Sequence, residues 1–120
     1  MTELRAFCNQ LVSFFEDLTE TYPEETEIST ATQTLKLMKQ MNPRLVHHTF
    51  MTKVCADYAQ HILNEDEEYI LKRAKGSVDS SYNYAFWIFD KHWNTMSETN
   101  KQHVWRYVKG LVLLAKRVPL

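Results

Sequence analysis

The sequence of 120 residues predicts an all-α fold, a compact single-domain bundle of five or six helices spanning 1–120. Three observations carry this. Apolar residues recur at steps of three or four along most segments, the period of one helical face. Two glycines and three prolines are too few breakers for a turn-rich β-sandwich. The prolines, Pro23, Pro43 and Pro119, fall between the periodic segments. A chain of this length buries roughly two-thirds of its unfolded surface, enough for a core without a disulfide or metal staple.

The first helix is predicted over 3–21, capped by Thr2, with Leu4, Phe7, Leu11, Phe14, Phe15 and Leu18 on one face. Tyr22-Pro23 breaks it. Glu24, Glu25 and Glu27 then stand in the first turn of a second helix over 24–41, where the helix dipole favours acids. Its stripe of Ile28, Ala31, Leu35 and Met38 is thin and set among threonines, which places the helix on the outside of the bundle. Asn42-Pro43 is the sharpest local signal, an N-cap followed by proline at the first helical position. It opens a third helix over 43–63 with the stripe Val46, Phe50, Val54, Tyr58 and Ile62. A short fourth helix over 65–75 has acids at its start, bases at its end and Gly76 to stop it.

The fifth helix, predicted over 81–95, is the most aromatic, with Tyr82, Tyr84, Phe86, Trp87, Phe89 and Trp93 spread around more than one face. Such a helix is either central in the bundle or shows one aromatic edge to a partner. The sixth, over 98–118, belongs to the stretch around which the chain is organised, Trp93 to Val118. Thr99 and Gln102 match a capping box, with Ser97 as the alternative cap. Val104, Val108, Leu111, Val112, Ala115 and Val118 stay in phase over four turns, so Val108→Asp is expected to unfold the domain. The third, fifth and sixth helices are expected to supply most of the core.

A net charge of −1 hides a segregation. Residues 1–34 hold seven acids and one base, a net of −6; residues 101–120 hold five bases and no acid, a net of +5. The two ends either orient one another or leave a basic patch for an anionic partner. Cys8 and Cys55 sit inside helical patterns without ligand-spaced neighbours and read as free, buried thiols of a reducing compartment. The N-terminus lacks the pattern of a secretory signal, and no apolar run approaches the roughly 20 residues of a membrane span. The expectation is a soluble, intracellular protein.

Enzymatic chemistry finds little support in the residues. His47 and His48 diverge by about 100° on one helix. Asp57 and His61, four apart, share a face, but two ligands do not make a zinc site. No G-x-S-x-G turn, phosphate loop or calcium loop is present. The reading is therefore no enzyme, no catalytic residues, no cofactor and no metal. The candidate partner-binding residues are Tyr84, Trp87, Trp93 and Trp105, with the basic Arg106, Lys109, Lys116 and Arg117. Aromatic and basic residues interleaved on the last helix also suit nucleic acid, although a pI near 6.5 restricts that to a local patch.

Two blocks resemble a known family. Asn42-Pro43-Arg44, Phe50 and the run Gln60 to Glu67 form one; Trp93, Ser97, Asn100-Lys101, Trp105-Arg106-Tyr107 and Leu111 form the other, with the arrangement W…S-x-x-N-K-x-x-x-W-x-Y. Across 42–118 the chain is similar to an uncharacterised family of small helical proteins encoded by nucleocytoplasmic large DNA viruses of algae and protists. The resemblance implies host cytoplasm or virion as the setting. It implies no activity, cofactor or partner. The expected function is a non-enzymatic protein-interaction or structural module, viral in origin, that binds a viral or host protein or itself without a membrane. The alternative is nucleic-acid binding through the basic face of the last helix.

Overall fold

A computed structural model describes residues 2–76 and 91–119, with side chains over 3–72 and 91–119. The predicted aromatic helix, with Tyr84 and Trp87, lies outside the described residues except for 91–93, which are helical. Helices make up the rest: α1 (Thr2–Thr21), α2 (Thr26–Met41), α3 (Pro43–Phe50), α4 (Ala56–Leu63), α5 (Glu67–Gly76) and α6 (Glu98–Arg117). A π-helical turn, Met51–Cys55, joins α3 to α4. The fold is all-α and forms one domain. Its radius of gyration of 13.7 Å is that of a compact chain of this length.

α1 carries the first stripe inward: Leu4, Phe7, Leu11, Phe14 and Leu18 are buried, joined by Cys8 and Val12. It packs on α2, α3 and α6. The most enclosed side chains are Phe7 and Cys8 on α1 and Leu111 and Val112 on α6. α1 contributes more buried residues than any other described helix and joins the third and sixth predicted helices in the core, while most of the fifth lies outside the described residues. The acidic composition of α1 conceals the role. The acids Glu3, Glu16, Asp17 and Glu20 occupy exposed positions and leave the 3.6-residue stripe intact.

α2 begins at Thr26, two residues later than predicted, and Glu25 at its N-cap makes no side-chain capping bond. Its inner face is Ile28 and Thr32. The buried Thr32 hydroxyl donates to the Ile28 carbonyl at 2.8 Å and lies 3.0 Å from the Thr19 hydroxyl of α1. A threonine on this face is thus a satisfied polar joint between two helices rather than a gap in the stripe.

The third predicted helix is one rod with an irregularity that its own stripe explains. Asn42 accepts from the Leu45 amide at 3.2 Å with Pro43 in the first turn, as the sequence predicts. Val46, Phe50, Val54, Tyr58 and Ile62 recur at steps of four throughout. On a regular helix four such steps drift by about 160°, and inserting one residue reduces the drift to about 60°. The π turn provides that insertion and brings Val46 and the later pair Tyr58 and Ile62 into the same core.

Beyond α4 the chain turns through Glu65, whose φ of 53° is left-handed. Asp66 caps α5 by accepting from the Tyr69 amide at 3.3 Å. Ser97, not Thr99, caps α6, accepting from the Asn100 amide at 3.1 Å. The predicted stripe of α6 divides: Leu111, Val112, Ala115 and Val118 are buried, whereas Val104 and Val108 are half-buried. His47 is buried against α6, its Nε2 2.8 Å from the Ala115 carbonyl. A carbonyl only accepts, so Nε2 carries the proton and satisfies a C-terminal carbonyl of α6.

Candidate partner-binding surfaces

Two surfaces lie on opposite sides of α6. On one side α2, α3, α5 and α6 surround a half-open apolar groove of about 800 Å³. Ile62, Trp93, Trp105 and Leu111 form its deep wall, and Leu35, Met38 and Phe50 line its nearer parts. Thr26, Thr30 and Thr34, successive positions on one face of α2, form a hydroxyl-bearing ledge beside Glu27. The groove continues onto the surface at Leu45, 40% exposed, and near it Leu37 and Met41 of α2 are 59% and 79% exposed.

The two described tryptophan candidates, Trp93 and Trp105, stand in the wall of this groove and not on an exposed edge. Trp93 and Trp105 are buried, 5.4 Å apart edge-to-face, with the Lys101 ammonium 5.4 Å from the centroid of the Trp93 ring. Their area goes to core packing, and they reach a partner only from beneath the groove. The sequence placed Trp105 beside the α6 stripe, but a large indole at the edge of a stripe turns inward when a second aromatic is there to receive it.

On the other side of α6, Arg106, Lys116 and Arg117 are exposed, Lys109 is half-buried and paired with Glu65, and Leu113 is 50% exposed among them. The structure gathers all four basic candidates on one face.

Two histidine sites are also present. His92 stacks on Tyr22 with centroids 4.2 Å apart and places Nε2 2.9 Å from Oε1 of Glu25. Lys91 donates to the same oxygen at 2.7 Å. Glu25 is 4% exposed, and these hydrogen bonds, that of Lys91 foremost, hold its carboxyl below the usual range, while Glu25 holds the Lys91 ammonium above its own. With Glu24 the cluster offers three ligand atoms within 4.8 Å of one another, the density of a divalent-cation site. The ammonium already supplies the positive charge to the buried oxygen, so the donor set fits an ion pair better than a metal. Sixty-six residues separate the partners, and no local pattern in the sequence foretells the pair.

At the second site His61 pairs with Asp66. Its Nδ1 lies 3.1 Å from Asp66, and its ring stacks on Tyr69 at 3.6 Å. The left-handed Glu65 folds the chain back so that Asp66, five residues on, reaches the imidazole. The hydrogen bond from His61, then that from the Tyr69 amide, lowers the Asp66 carboxyl. The residue that caps α5 is thus also its anchor to α4. Cys8 and Cys55 are free and buried, and burial raises both thiols, which leaves them poor nucleophiles.

None of the described helices is long and apolar enough to cross a membrane. Comparison with known protein families, curated proteins and solved structures finds no match to this chain.

Proposed function

We propose that this domain is a non-enzymatic protein-interaction module whose apolar groove receives an apolar helical segment of another protein or of a second copy. The observation that carries this reading is the groove. A half-open channel of about 800 Å³, lined mainly by aliphatic and aromatic side chains and continued outward by Leu45, suits the apolar face of an amphipathic helix. Exposed apolar residues scattered singly need no explanation. Leu37 and Met41 lie one turn apart, and with Leu45 they stand beside an apolar channel. The resemblance across 42–118 supports infected-cell cytoplasm or the virion as the setting.

Site-specific photo-cross-linking tests the proposal. A photoreactive side chain at Met41 or Leu45 should form adducts with one defined polypeptide, and Leu45→Glu should abolish them. The same group at Arg5, on the exposed side of α1, should not. A strictly monomeric protein without groove-specific adducts in infected-cell lysate would refute the reading.

A further inference from the structure

We propose that the face of α6 opposite the groove is a second binding surface that lies across the major groove of duplex DNA, on its phosphates. Arg106, Lys109, Lys116 and Arg117 fall within an arc of roughly 120° on a helix turning 100° per residue, and Gly110 and Leu113 share that arc. No acid occurs in residues 101–120 to interrupt it. The bases form two pairs, Arg106 with Lys109 and Lys116 with Arg117. At 1.5 Å per residue the pairs stand roughly 13 Å apart along the axis. The major groove of B-DNA is about 12 Å wide, so a helix laid across it sets one pair on the phosphates of each flanking strand.

Two oddities of α6 have a place in this arrangement. Gly110 stands mid-helix, where glycine is costly, and a Cβ built there meets nothing within 4 Å. Leu113 is an exposed leucine in the middle of a basic face. Both occupy the uncharged centre of the stripe, the part that spans the open groove between the two lines of phosphates. Charge complementarity favours a duplex over an acidic peptide because the spacing of the two pairs matches the two charged edges of a groove. Glu65 beside Lys109 is the one acid paired to the stripe in the described structure, and phosphate takes its place on binding.

Fluorescence anisotropy with a labelled short duplex tests this without reference to the apolar groove. About four phosphate contacts predict an affinity loss of about 100-fold between about 50 and about 200 mM salt. The double substitution Arg106→Glu, Lys116→Glu, with a thermal unfolding curve like that of the wild type, should abolish binding, and Glu65→Gln should strengthen it severalfold. Overturning results are no binding at the lower salt, a double variant that binds like the wild type, or equal affinity for polyglutamate or single-stranded DNA of matched charge.

Discussion

Val112 and Val108 lie one turn apart on the stripe of α6, yet the structure predicts opposite outcomes for aspartate at the two sites. Val112 has 0% of its surface exposed, between α1 and the body of α6. Replacing it forfeits the burial of a valine, about 1.5–3 kcal/mol, and leaves a polar group without a partner, about 1–3 kcal/mol more and higher still when it is charged. The sum, about 3–6 kcal/mol or more, approaches the whole stability of an ordinary domain, about 5–15 kcal/mol. Val108 is half-buried on the wall of the groove, where a carboxylate reaches water. Its cost is half the burial of a valine, about 1 kcal/mol. The expectation from the sequence, that Val108→Asp unfolds the domain, is therefore revised: that variant should fold with a lower midpoint, whereas Val112→Asp should show no cooperative transition. Urea titration followed by circular dichroism at 222 nm reads both. Equal loss at the two positions would refute the burial assignment and the groove with it.

Ser97→Ala should cost about 1 kcal/mol, the value of an N-cap, while Thr99→Ala should change the urea midpoint hardly at all; the reverse order would restore the capping box. Gly110→Ala should raise stability by about 1 kcal/mol, a few degrees in thermal midpoint, because nothing obstructs the new methyl. A lower midpoint would place something against that face. Glu25→Gln should lower stability at neutral pH and leave a shallower acid limb. The native carboxyl lies below its unfolded value, so its contribution is present above the unfolded pKa of about 4.3 and lost as pH falls through the native one. Acid titration of the two proteins, monitored by tryptophan fluorescence, should show their stabilities converging below about pH 4.

The helix positions were legible because each depends on local chemistry: the stripe of α1, the Asn42-Pro43 start and the break at Pro23 involve residues within a turn of one another. The features that local pattern leaves open depend on distance. Trp105 reads equally as a flank or as core until Trp93 is seen against it. Glu25 reads as a dipole acid until Lys91 and His92 arrive from 66 and 67 residues away. The π turn is an intermediate case. The unbroken four-residue spacing from Val46 to Ile62 already exceeds the 3.6 period, and counting the drift would have exposed it. Of the candidate surfaces, the basic face was legible in full, since four cations on one helix need only the helical period. The groove was not, since its walls come from separate helices.

The charge segregation between the ends of the chain can be weighed by magnitude. Had the −6 and +5 segments served to orient the terminal helices, α1 and α6 would meet through ion pairs. Their contact is instead Phe14 against Tyr107 at 5.2 Å, within a core that includes Phe7, Leu111 and Val112. The polar link shown between them is the Tyr107 hydroxyl on Asp17, which raises that phenol after burial has begun to do so. The acids and bases pair elsewhere: Glu16 with Lys36 at 2.9 Å, Glu25 with Lys91, Glu65 with Lys109. An exposed ion pair contributes about 0–1 kcal/mol, whereas each buried apolar side chain contributes about 1.5–3 kcal/mol. Burial therefore sets the angle of α1 on α6, and the basic face of α6 is not required for it. Reversing Arg106 and Lys116 together should accordingly change the unfolding free energy, read by urea titration, by less than about 1 kcal/mol, while Val112→Ala should cost more than that. If the charge reversal were the more damaging of the two, the basic face would be part of the fold and not a surface left for a partner.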